Sequence, residues 1–251
     1  MHQQLVRLRH SIGSFWRWLQ GPPDYRRARD LRELARMQPR VRFDPGRVAA
    51  AGWLTSSEQR ALYSLARWAQ GPFLEIGPWL GLSTTIIALG IADSGEVKEF
   101  VTREYNPTLA NFRPLPDGTI GLFIPADSTE SMGACSHESF ENDIRPIVAG
   151  VQGVIGQLTD NLRRARIDHL VRVSVGDFRE LETRTYRFVF ADTMHNALEI
   201  RRNAPQLRRF LTVGSILACH DTTAENERLL RELFSFAADF RADSLFVGKI
   251  A

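Results

Sequence analysis

From residue 72 onward, short apolar runs alternate with stretches of helical length, and that rhythm leaves the chain few architectures. Runs at 72–76, 97–102, 170–175, 186–191, 213–219 and 244–250 read as strands. Stretches at 86–91, 155–166, 197–211 and 224–240 read as helices. Strands that alternate with helices pair in parallel through right-handed crossovers. The expected fold class is α/β, a doubly wound, mainly parallel sheet.

Within that rhythm, "FLEIGPWLGLST" places an acid and two glycines between two apolar runs. Gly77 and Gly81 permit a tight turn and a close backbone approach, and Ser83 or Thr84 is positioned to cap the following helix. The spacing is E-x-G-x-x-x-G. It is therefore neither the dinucleotide pattern G-x-G-x-x-G nor a phosphate loop, because no Gly-Lys-Ser/Thr follows. A βα corner of this kind receives a nucleotide-like ligand or simply turns the chain.

The 251 residues suit one large α/β domain with an appendage. Residues 1–54 read as a basic helical extension: the first 47 carry eleven Arg and no Lys against four acids, so the remainder of a chain of net charge +3 is acidic. Such an arm suits nucleic acid, a membrane surface, an oligomer contact or plain solvation. Residues 55–251 form the main domain, opened by the capping-box spacing Thr55-Ser56-Ser57-Glu58. Between 105 and 150 lies a proline- and glycine-rich stretch without a regular period, read as a lid or an inserted subdomain. No run approaches a membrane span or a signal peptide, and two cysteines make no disulfide framework. The expected location is cytoplasmic.

Ligands of open α/β sheets bind beyond the carboxyl ends of the strands. Five successive candidate strands each finish near an acid: Glu75, Glu104 in "TREYNPT", Asp177 in "VGDF", Asp192 with His195 in "FADTMH", and His220-Asp221 in "ACHDT". With these motifs the chain resembles the class I S-adenosylmethionine-dependent methyltransferases, over about residues 55–225. Within them it is similar to the metal-assisted O-methyltransferases typified by catechol O-methyltransferase, and to the macrocin and mycinamicin sugar O-methyltransferases.

The resemblance implies S-adenosylmethionine as cofactor. Glu75, Gly77, Gly81 and Ser83 would lie in the motif against its methionine part, Glu104 would hold the ribose hydroxyls, and Asp177 and Phe178 would flank the adenine, with Asp192 close by. It also implies a divalent ion, Mg²⁺, Mn²⁺ or another first-row ion, on Asp192, His220 and Asp221. His195 would be the catalytic base. A histidine at position 220, where the resemblance leads one to expect an acid, favours a first-row ion over Mg²⁺, or else a base with no metal at all. The acceptor implied is a hydroxylated small molecule, natural product or sugar. Two alternatives stand beside this reading: an RNA methyltransferase using the Arg-rich arm, against which the acidic body argues, and a non-catalytic cofactor-binding protein of the same fold. After Asp221 the pattern offers only one clear strand. That leaves a six-stranded sheet, or an edge completed by a partner chain; a homo-oligomer would form through this edge or through the N-terminal extension.

Overall fold

The computed structural model describes residue 48 and residues 50–251. The expected helices of the basic extension lie outside these residues. Helix α1 (Ser56–Trp68) begins at the capping box: Thr55 accepts from the Glu58 amide, and the Glu58 carboxylate accepts from the Thr55 amide. Strand β1 (Phe73–Ile76) follows, buried at every position. The chain then turns through Gly77, Trp79 and Gly81, all at positive φ, into α2 (Leu82–Ser94). Gly81, rather than Ser83 or Thr84, is the N-cap of α2. The two hydroxyls are instead drawn back to the strand, as described below.

Strand β2 (Phe100–Glu104) starts three residues later than the sequence pattern places it, with Val97 fully exposed, so that Glu104 is its last residue. The 105–150 insertion has regular structure of its own. It holds an antiparallel sheet of β3 (Phe112–Pro114), β4 (Ile120–Leu122) and β5 (Gly133–Cys135), then a short helical run broken by a π turn at Phe140–Ile144. The main frame resumes with α3 (Gly153–Arg164), β6 (Arg172–Val175), β7 (Phe188–Ala191), α4 (Ala197–Arg208), β8 (Ile216–Cys219) and α5 (Ala224–Leu233). It ends in the hairpin β9 (Phe236–Ala242) and β10 (Leu245–Ile250).

The seven main strands run in the order β6-β2-β1-β7-β8-β10-β9. The first five are parallel, and β10 pairs antiparallel with β8 and β9. Alternation along the strands makes two cores. Phe73, Phe100, Phe188 and Phe190 pack with Leu65 of α1, Ile86 and Ile87 of α2 and Leu158 of α3. On the other face, Leu74, Val189 and Leu217 pack with Ile200 and Leu207 of α4 and Leu230 of α5. The chain is thus a three-layer, doubly wound α/β fold.

The C-terminus corrects the sequence reading. The helix expected over 224–240 stops at Leu233, and β9 supplies the seventh strand, so the chain completes this edge itself. Phe236, Ala238, Phe240 and Ala242 recur with period two, but an alanine-rich run also suits a helix. Packing decides the matter. The Phe236 ring lies against Phe246 at 5.4 Å and over Gly248 of β10, where a Cβ would come within 2.3 Å of the ring. A glycine in one strand thus seats an aromatic ring from its neighbour.

Candidate functional site

The carboxyl ends of β1, β2, β6, β7 and β8 open into one cavity of about 400 Å³, whose far wall is the inserted sheet. In the turn after β1 the two glycines are required first by the protein itself, and of the two Gly77 borders the cavity while Gly81 does not. A Cβ on Gly77 (φ 79°) would stand 2.8 Å from the Asp192 carbonyl oxygen, and one on Gly81 (φ 88°) 2.6 Å from Leu158. The turn can lie flat against β7 only without them.

Glu75 does not line this cavity. It is fully buried beneath the turn, where Ser83 and Thr84 donate their hydroxyls to its two carboxylate oxygens, each at 2.6 Å. Burial pushes its carboxyl up to about 7 against the pull of those hydroxyls. It ties strand to helix, and Ser83 remains on the cavity wall.

Glu104 does line the cavity, with only 5% of its surface exposed. The Trp79 amide donates to Oε2 and the Asn106 amide to Oε1, each at 3.0 Å. Each oxygen keeps a lone pair for a further donor. Burial raises this carboxyl to about 7, with the Glu75 charge adding to the effect and the amides opposing it. Asp177 caps the turn after β6 by accepting from the Arg179 amide and pairs with the Arg179 guanidinium, while the buried Phe178 presents its ring to the cavity. All of Gly77, Glu104, Asp177, Phe178, Asp192, His195, His220 and Asp221 border the one cavity.

Asp192 is the hub of the opposite end. Its Oδ1 meets His195 Nε2 at 3.0 Å and His220 Nδ1 at 3.2 Å. Burial alone would raise its carboxyl, but the two imidazoles hold it far below the usual range. His195 continues to Glu199, with Nδ1 at 3.0 Å and its backbone amide at 2.7 Å from Oε2. Burial would lower the His195 pKa, yet Asp192 and Glu199 lift it well above that of an ordinary histidine. His220 Nε2 faces Glu58 at 3.4 Å, and Asp192 and Glu58 together overcome burial to raise it to about 10. His195 is the more open of the two, 37% exposed against 4%.

Donor atoms of Asp192, His195 and Asp221 lie within 4.8 Å of one another, close enough to share an ion. The structure therefore gathers His195, rather than His220, with the two acids. His220 instead lies between Asp192 and Glu58, hydrogen-bonded to the first and at an ion-pair distance from the second.

Sequence reasoning missed two carboxylates of this network, Glu58 and Glu199. Both stand three residues after a helix N-cap, Thr55 and Asn196, and both helices are capped there by that side chain. The spacing signals a cap; it does not reveal that each acid also holds a histidine. Trp53 and Trp79, with ring centroids 6.4 Å apart on the cavity wall, were missed as well.

A model of the methyltransferase-domain family matches residues 74–222, more than half of the chain and every strand end of the cavity. The fold is similar to that of the O-methyltransferase NovP, 11% identical, over 87% of this chain and 88% of that one at a TM-score of 0.53. It is also similar to TomG, an O-methyltransferase of Streptomyces achromogenes involved in tomaymycin synthesis (16% identical, 72% and 67% of the chains, TM-score 0.43). A third similar structure is an O-methyltransferase of Bacillus cereus (13% identical, 96% and 97%, TM-score 0.45). No curated protein matches the sequence. Among the described residues no helix is long and apolar enough to cross a membrane. The parallel sheet closed by an antiparallel pair and the family match over its strand ends agree: the chain belongs to the methyltransferase-domain family and carries the class I, Rossmann-like methyltransferase fold.

Proposed function

We propose that the protein transfers a methyl group from S-adenosylmethionine to a hydroxyl of a small molecule. The observation that carries this reading is one cavity with two chemically different ends. The Glu104 end offers a buried carboxylate with two free lone pairs, suited to a ribose diol. The Asp192 end gathers imidazole and carboxylate, suited to holding a hydroxyl and, with a cation in place of the His195 proton, to deprotonating it. Carboxylates at both ends favour a sulfonium between them. The transfer itself is an in-line displacement, so the cavity must hold the acceptor oxygen in line with the methyl carbon.

The donor set at the Asp192 end fits a divalent ion. Two carboxylates and one imidazole suit Mn²⁺, Fe²⁺ or Zn²⁺ better than Mg²⁺. Bound by Asp192, His195 and Asp221, such an ion would supply acidity and orientation to the acceptor hydroxyl. The protein's own charges support this. With carboxylates on both ring nitrogens, His195 keeps a proton at neutral pH and cannot take another. With a divalent cation held there, the positive charge of that proton would no longer be needed, and His195 would be neutral, either as a ligand or as the proton acceptor. His220, seated between Glu58 and Asp192, orients Asp192 from behind.

Methyl transfer from labelled S-adenosylmethionine to a panel of phenols, read with and without chelator, tests the proposal. His195→Ala is expected to slow transfer by roughly 10²–10⁴-fold. Loss of transfer with Mn²⁺ binding retained would make His195 the base; loss of both would make it a ligand. Full activity of His195→Ala would sink the assignment.

A further inference from the structure

Beyond Tyr105, every residue that the insertion contributes to the cavity is apolar, Cys135 excepted. Phe112 and Ile120, Leu122 and Ile124, and Met132 and Ile144 form this wall from β3, β4 and the segments after them. Phe112, Leu122, Ile124 and Ile144 are only partly buried in the protein's own core, which leaves apolar surface turned to the cavity. Trp53 and Trp79 add flat aromatic faces to the lining.

The cavity's guanidinium groups are already engaged. Arg103 donates to the Asp177 carbonyl and to Ser174 Oγ, and it pairs with Glu180 at 3.5 Å. Arg179 pairs with Asp177. No lysine lines the cavity among the described residues. Away from the Asp192 end, a phosphate or carboxylate on the body of the acceptor would therefore lie against the inserted wall without a free cation to meet it. A sugar would bury several hydroxyls against hydrocarbon, each costing about 1–3 kcal/mol if left unpaired.

We infer that the acceptor is a neutral, mainly apolar molecule, an aromatic ring system bearing a hydroxyl, whose body lies on the inserted sheet while the hydroxyl reaches Asp192 and His195. Sugars and phosphate-bearing acceptors are refused. The inference rests on the reading of the cavity as a methyltransferase site and narrows its acceptor half.

Three probes decide it by calorimetry on the full chain with S-adenosylhomocysteine present: a naphthalenediol with adjacent hydroxyls, methyl glucoside and adenosine monophosphate. The naphthalenediol is expected to bind and the other two to bind at least about tenfold more weakly, the worth of one buried aliphatic side chain. Leu122→Ser and Ile124→Asn should each weaken the naphthalenediol by about tenfold while leaving S-adenosylhomocysteine affinity unchanged, which also reports that the variants are folded. Tighter binding of the glucoside or the nucleotide overturns the inference, as does unchanged naphthalenediol affinity in both folded variants. Absence of S-adenosylhomocysteine binding would instead overturn the cofactor reading. The three-probe ranking, repeated without it, would still decide the nature of the wall.

Discussion

Replacing Glu58 by glutamine removes one negative charge from beneath the site and nearly nothing else in shape. Glu58 accepts from the Thr55 amide at 2.8 Å and from the Ser244 amide and hydroxyl at 2.8 and 2.6 Å, and its side chain is 1% exposed. Burial would raise its carboxyl, but His220, Ser244 and the Thr55 amide outweigh burial and hold it at about 2, against the usual 4.5. That gap corresponds to about 3 kcal/mol of folding stability. The sign follows from the depressed folded value: the stabilisation is complete above pH 4.5 and is lost as pH falls toward 2. Glu58→Gln should therefore unfold about 3 kcal/mol more easily at pH 6, a drop of roughly 6–12 °C in Tm for a domain of this size. Its deficit should shrink by about 1.4 kcal/mol per pH unit below 4.5. Urea unfolding of both proteins at pH 6 and pH 3.5 measures this. S-adenosylhomocysteine affinity should hold, because Glu58 does not line the cavity. A deficit equal at both pH values, or none at pH 6, would refute the charge argument.

The other predictions concern the cavity directly. Glu104 gains its proton near pH 7, so S-adenosylhomocysteine affinity should fall as pH drops below about 7. Glu104→Gln should lose about 1–3 kcal/mol of binding and flatten that profile; a profile unchanged in the variant would remove Glu104 from the ribose. Gly77→Ala places a methyl group 2.8 Å from the Asp192 carbonyl at a positive φ, and thermal unfolding should show a loss of about 1–3 kcal/mol. A neutral result would mean that the turn can move off β7. Asp221→Asn should weaken Mn²⁺ in equilibrium dialysis about tenfold or more, and affinity equal to the parent would place any ion elsewhere.

The sequence by itself determined the parallel frame and the acids at its strand ends. Both are written in local signals: short continuous apolar runs, helical spacing and polar residues where an apolar run stops. Glu104 could be singled out because "TREYNPT" marks its strand end, and the structure places it on the cavity wall. What each acid does was decided elsewhere. Glu75 belongs to the same motif as Gly77, yet strand alternation turns it under α2, where Ser83 and Thr84 consume its oxygens. Gly77 and Gly81 announce a turn, but the atoms that require them, the Asp192 carbonyl and Leu158, come from the residue just past β7 and from α3. The 236–242 run suits helix or strand until Gly248 opens room for Phe236. Glu58 reads as a helix cap and is one, while its second partner, Ser244, lies 186 residues away. A local pattern reports backbone preference and burial. The other half of a buried carboxylate's hydrogen bonds, and the imidazole it holds, depend on which distant segment packs against it, and only tertiary structure supplies that.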